Sequence, residues 1–93
     1  MADMLRVFAY DVASDRRRAR VAAVLEEAAV RVQESVFEAR MNDRQMAALV
    51  ARVRVELLPD DSFRAYTVET RNRDRCVAIG GPPLAEAQDF WLL

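Results

Sequence analysis

The side chains able to do chemistry in this 93-residue sequence are carboxylates, arginines, tyrosines and hydroxyls, with little else beside them. There is no His and no Lys, one Cys (Cys76), and two adjacent glycines, Gly80 and Gly81. Without imidazole there is no Ser-His-Asp or Cys-His relay and no His metal ligand, and one thiol completes neither a zinc site nor an internal disulfide. Without Lys there is no Schiff base. A phosphate-cradling glycine loop needs spaced glycines, which the chain lacks. The hydrolytic chemistry left open uses a hard, oxygen-liking ion held by Asp or Glu, with Arg gripping a charged substrate.

Asp11 is the first residue to weigh for that chemistry. It stands where the apolar run Met4 to Tyr10 hands over to a helical pattern. A turn residue bonding nearby backbone N–H groups accounts for it. The other reading is a metal ligand, and one chain brings a single carboxylate to that point. An isologous dimer sets a residue against its own copy and so supplies a second, and magnesium is commonly held by one or two carboxylates and several waters.

Arg16, Arg17, Arg18 and Arg20 crowd the first turns of the following helix, where the macrodipole disfavours cations. A phosphate arriving there would satisfy both the free N–H groups and the guanidinium forks. The plainer reading is a solvated turn in an Arg-rich chain, since all fourteen basic residues are Arg. Tyr10 and Phe37 fit cross-strand packing, and in a functional version would pack around the site or against a base. Ser35 reads as a turn hydroxyl and Cys76 as a small buried hydrophobe.

The elements that must hold these residues follow from periodicity. Met4 to Tyr10 reads as a buried strand. Val21, Val24, Leu25, Ala28 and Ala29 then follow the i, i+3, i+4, i+7, i+8 pattern of one helix stripe, with Ser14 as N-cap. Val30 to Met41 is strand-like, with Val32 and Val36 on one face and Phe37, Ala39 and Met41 on the other. Asn42 caps a second helix, Gln45 holds the reciprocal capping-box position, and Met46, Leu49, Val50, Val53 and Leu57 form its stripe. Pro59-Asp60-Asp61 ends it. Ser62 to Val68 and Cys76 to Ile79 read as two further strands joined by a charged loop, and Gly80-Gly81-Pro82-Pro83 stops the last. This order predicts an α+β sandwich, two helices on one face of a mostly antiparallel sheet. If Val30 to Met41 is two short strands turning near Glu34-Ser35, the order becomes the ferredoxin-like βαββαβ. Periodicity leaves that open, because the alternation runs on without a Gly or Pro.

A chain of this size makes one domain, expected over residues 1–80. Leu84 and Phe90-Trp91-Leu92-Leu93 give residues 81–93 the character of an apolar tail that needs a surface, and a partner subunit is the expected one. That tail and an apolar fraction of 53% point to a homodimer. The net charge of -1 excludes a global positive field, so nucleic-acid contact has to be local. No signal-peptide core opens the sequence and no apolar run approaches the roughly 18 residues of a membrane span, so a cytoplasmic protein with no membrane contact is expected. The lone thiol agrees with a reducing compartment.

Three segments together resemble the CRISPR-associated Cas-two family: Val7-Phe8-Ala9-Tyr10-Asp11-Val12, Arg31-Val32-Gln33-Glu34-Ser35-Val36-Phe37-Glu38, and Asp61-Ser62-Phe63-Arg64-Ala65-Tyr66. The resemblance runs from about Met4 to Gly80. It departs at Ala39, where a Gly commonly follows the Phe-Glu pair, and in the Pro-Pro-bounded tail. It implies a ferredoxin-like homodimer with an extra C-terminal strand, in which Asp11 is the catalytic residue and binds Mg2+ against its twin. Arg18, Arg20 and Arg31 match the family's basic residues and would bind substrate with Tyr10 and Phe37; positions near Ser35 have been assigned to substrate contact. The implied function is spacer acquisition in CRISPR adaptation, as the dimeric core between copies of the integrase Cas-one, with magnesium-dependent endonuclease activity on RNA or DNA. Duplex DNA is the expected nucleic acid, with single-stranded RNA a second. Two alternatives remain: a non-enzymatic scaffold for DNA and integrase, and a ribonuclease of the virulence-associated toxin type.

Overall fold

The structure is a computed structural model and describes residues 3–85. Strand β1 (Met4–Asp11) leads into helix α1 (Asp15–Glu26), strands β2 (Val30–Gln33) and β3 (Val36–Met41), helix α2 (Asp43–Arg54) and strand β4 (Ser62–Val68). A 3-10 helix, Thr70–Arg75, follows. The sheet order is β2-β3-β1-β4 and every neighbouring pair is antiparallel, which is the ferredoxin-like βαββαβ arrangement. Val30 to Met41 is thus two strands, and Glu34-Ser35 is the turn between them. Among the described residues only glycines have a positive φ, so this turn needs no left-handed residue and carries no Gly or Asn signature. A register shift between Arg31 and Gln33 further masks it.

Alternation along β1 sorts the sheet faces. Arg6, Phe8 and Tyr10 point to the helices, with Phe37, Ala39 and Met41 of β3 and Phe63 and Ala65 of β4. Against them α1 lays Val21, Ala22 and Leu25, and α2 lays Leu49 and Val53. Both helices start where their caps predict. Ser14 Oγ accepts the Arg17 N–H at 3.3 Å, and Asn42 and Gln45 exchange reciprocal bonds of 2.9 Å. Arg6, 2% exposed, is the buried cation of this layer. It donates to the Met41 carbonyl, Thr67 Oγ1 and Asp43, so its charge is matched where α2 begins.

Leu5, Val7, Ala9 and Asp11 point to the other face, with Glu38 and Arg40 of β3 and Arg64, Tyr66 and Val68 of β4. No helix of the sandwich covers that face; Leu5 at one end is buried, residues 77–85 run beside its Glu38, and the part around Asp11, Arg64 and Tyr66 stays open. The fifth strand expected at Cys76–Ile79 is corrected: the segment has no regular secondary structure and pairs with no strand among the described residues. Val77 and Ile79 are 78% and 92% exposed, and Cys76 is half-buried rather than in the core. Strand composition alone makes no strand, because a ladder needs a free edge alongside. Gly80 and Gly81, at φ of 73° and 69°, then turn the chain in a way that suits glycine alone. Residues 81–85 return to their own domain, where Pro82 and Leu84 line a hollow of about 240 Å³ with Val32, Gln33 and Glu38 and the Ala85 N–H donates to Glu38 at 3.3 Å. Phe90 to Leu93 of the expected tail lie outside the described residues.

Candidate metal and phosphate site

The C-terminal end of β1 collects the residues of interest. Asp11 is exposed and pairs with Ser62, the first residue of β4. Ala9 pairs with Val36, so the Glu34-Ser35 turn lies opposite Tyr10 and Asp11, and the Tyr10 N–H donates to the Ser35 carbonyl at 3.2 Å. The N-terminus of α1 arrives at the same end. Asp11 and Tyr10, adjacent on a strand, nevertheless serve opposite faces. Asp11 edges the uncovered face, while Tyr10 is buried under the helices with its ring 6.2 Å from Phe37 and its hydroxyl donating to the Glu34 carbonyl at 3.4 Å.

Under the helices, Tyr10, Arg18 and Arg31 come together around a hollow of about 230 Å³ that Asp15 and Glu34 also line. Phe37 is fully buried beneath it, and the Arg31 guanidinium lies 5.1 Å from its ring centroid. Phe37 therefore packs as a floor and offers no free ring face. Arg18 donates to the Val12 carbonyl at 2.9 Å and pairs with Asp15, and Arg31 faces Glu26 at 3.6 Å. A phosphate entering the hollow would exchange these exposed pairs for its own charge, at modest net gain. Arg20 stands apart: it reaches Glu56 beyond the end of α2 at 2.8 Å. Arg16 is exposed and remains available at the helix N-terminus.

Arg17 and Asp61 escaped the sequence reading as a pair. Arg17 grips Asp61 through two bonds of 3.0 Å, and the Leu58 N–H adds a third at 2.9 Å. These bonds, chiefly the guanidinium's, hold the Asp61 carboxyl below the usual carboxylate range and raise Arg17 in turn. A sequence separation of 44 positions between the partners leaves no local signal. Arg64 and Tyr66, which share the uncovered face with Asp11 and bond each other at 3.0 Å, were findable from the period of two in β4.

For a divalent ion the residues offer little within one chain. Among the described residues no group of three or more His, Cys, Asp or Glu could hold a metal. Magnesium asks for less, one or two carboxylates with waters, so Asp11 fits the ion provided a second copy contributes its own.

The sequence pattern of the CRISPR associated protein Cas2 family matches residues 4–76. The chain belongs to that family. A CRISPR-associated endoribonuclease Cas2 from Synechocystis sp. is 37% identical over 86 residues, 90% of this chain and 92% of that protein. A hypothetical protein from Thermus thermophilus has a solved structure that superposes with a TM-score of 0.74 at 34% identity, covering 87% of this chain and 96% of that one. A chain from a solved partial Cas6-RT-Cas1–Cas2 complex superposes with a TM-score of 0.65 at 25% identity, covering 89% and 98%. The Cas2 pattern spans β1 through the 3-10 helix, so it includes Asp11, the hollow and the Arg17–Asp61 pair. No described helix of this Cas2-family chain is long and apolar enough to cross a membrane.

Proposed function

We propose that this Cas2-family chain acts in the cytoplasm as a homodimer in CRISPR adaptation, bridging copies of the Cas1 integrase and cleaving RNA or DNA with Mg2+ held between two copies of Asp11. The observation that carries the reading is Asp11 itself, an exposed carboxylate at the end of a strand on the uncovered sheet face. That face, with Val7, Ala9 and the half-exposed Tyr66, is what a two-fold partner would cover, and the exposed Val77 and Ile79 extend the apolar area to be buried.

Asp11 from each copy would hold the ion, which supplies Lewis-acid stabilisation of charge on a phosphodiester. Arg18 and Arg31 bind backbone phosphates without reading bases, and Arg16 and Arg20 widen the positive edge. Phe37, with Tyr10 packed beside it, is the floor on which Arg31 rests. The names of the endoribonuclease relatives and the likeness to a chain of a Cas1-containing complex support the two halves of the proposal. A scaffold without catalysis is the second reading, favoured by there being no group of three or more His, Cys, Asp or Glu among the described residues that could hold a metal.

Asp11→Asn separates the two. Magnesium-dependent cleavage should fall by orders of magnitude while the dimer, its thermal unfolding and spacer integration survive. Undiminished cleavage in the variant would leave Asp11 a turn residue.

A further inference from the structure

Two copies of Asp11 brought to one ion repel each other until the ion arrives, so each needs a backbone that holds it in place. The means of holding it lie in a carboxylate that does not itself reach the site. The Asp61 side chain is 1% exposed. It accepts Arg17 Nε and one terminal nitrogen of the same guanidinium at 3.0 Å each, and the Leu58 N–H at 2.9 Å. A bidentate pair fixes angle as well as distance.

Both ion-pair partners in this clasp are tied to segments next to Asp11. Asp61 immediately precedes Ser62, the residue paired with Asp11 across β1 and β4. Arg17 stands in the first turn of α1, and its N–H donates to Ser14 Oγ, three residues beyond Asp11. Arg18, next along the helix, donates to the carbonyl of Val12. The start of β4, the turn from α2 and the start of α1 are thus tied to one point, with Asp11 between them. Burying a charged carboxylate is costly unless it is fully bonded, and an apolar side chain could have closed the same gap. Closing space does not explain the clasp; holding an orientation does.

We propose that Asp61, through Arg17, is a positioning residue for Asp11, fixing the end of β1 so that the two carboxylates of a dimer meet at a set separation. The proposal rests on the metal reading above. The experiment uses the full-length dimer, with Mn2+ as the probe ion, and compares Asp61→Asn and the milder Arg17→Lys with the unaltered protein.

Amide hydrogen exchange at Asp11, Val12 and Ser62 should quicken in Asp61→Asn by about tenfold or more beyond the quickening at Phe8 and Val53, whose core amides follow global stability, and by less in Arg17→Lys. Mn2+ affinity should fall by about 10- to 100-fold, and kcat with it, at unchanged KM. Unchanged exchange at residues 11–12 and 62 in both variants overturns the proposal. So does faster exchange spread evenly to Phe8 and Val53, because Asp61 would then only support the fold. Asp11→Asn keeps the two ideas apart. If it leaves Mn2+ affinity intact, the metal reading fails whatever Asp61 does. If it abolishes binding while Asp61→Asn leaves binding and local exchange intact, the positioning role alone fails.

Discussion

Replacing Phe37 by Ala should nearly unfold the protein rather than merely weaken its grip on nucleic acid. The ring is 0% exposed, faces Phe8 across β1 and β3, lies 6.2 Å from the Tyr10 ring and carries the Arg31 guanidinium above it. Truncating a buried Phe costs about 3–5 kcal/mol through lost burial and the cavity left behind. Losing the platform under Arg31 adds about 0.5–1 kcal/mol. A total of about 3.5–6 kcal/mol approaches the whole stability of a small domain, and at about 4–8 °C per kcal/mol the midpoint would drop by roughly 15–50 °C. Phe37→Leu fills most of the space and should cost about 1–2 kcal/mol, which keeps the chain folded for binding measurements. Urea unfolding gives the stability of both variants, and fluorescence anisotropy with labelled duplex DNA gives the affinity of the Leu form, expected within about threefold of the unaltered protein. An Ala variant within about 0.5 kcal/mol of the parent that loses DNA affinity tenfold would refute the packing argument and make Phe37 a stacking surface for a base.

Three further outcomes can be measured. Replacing Arg18, Arg20 and Arg31 together by Ala should weaken duplex DNA binding and flatten the log-log salt slope by up to about 2.7, at about 0.9 per phosphate contact, with Arg20→Ala alone contributing least because it stands apart from the hollow. Asn42→Ala breaks the reciprocal capping box of α2 and should cost about 1 kcal/mol by urea unfolding without changing the oligomeric state. The Asp61 carboxyl lies below its usual value of 3.8 in the folded state, so its stabilising contribution is complete above that value and is lost as pH falls through the lower, folded one. The stability difference between the unaltered protein and Asp61→Asn should therefore be flat from about pH 5 to 7 and shrink below about pH 4, as urea unfolding at each pH will record.

Which parts of this molecule can be read from sequence depends on how local their causes are. Helices α1 and α2 are legible because Ser14, Asn42 and Gln45 cap within three residues and the apolar stripes repeat every turn. Strands β1 and β4 are legible from short β-branched and aromatic runs with abrupt polar ends. The Glu34-Ser35 turn is silent because it requires no positive φ. Cys76–Ile79 has strand composition, yet pairing is settled by what lies alongside, and no described strand does. The site divides in the same way. Asp11, Tyr10 and the arginine run are conspicuous, but Arg17, Arg18 and Arg20 point in three directions, to Asp61, Asp15 and Glu56, and only the packing of α1 against its neighbours decides which of them remains beside Arg31.

The central claim, that two chains share one ion through Asp11, is tested most directly by the stoichiometry of Mn2+ binding. The dimer, twice 10.6 kDa, is first verified by light scattering. Isothermal titration with electron paramagnetic resonance of the bound ion then counts sites. The account predicts about one Mn2+ for every two chains, lost in Asp11→Asn while the dimer persists. One ion per chain, or binding that survives in Asp11→Asn, would contradict it.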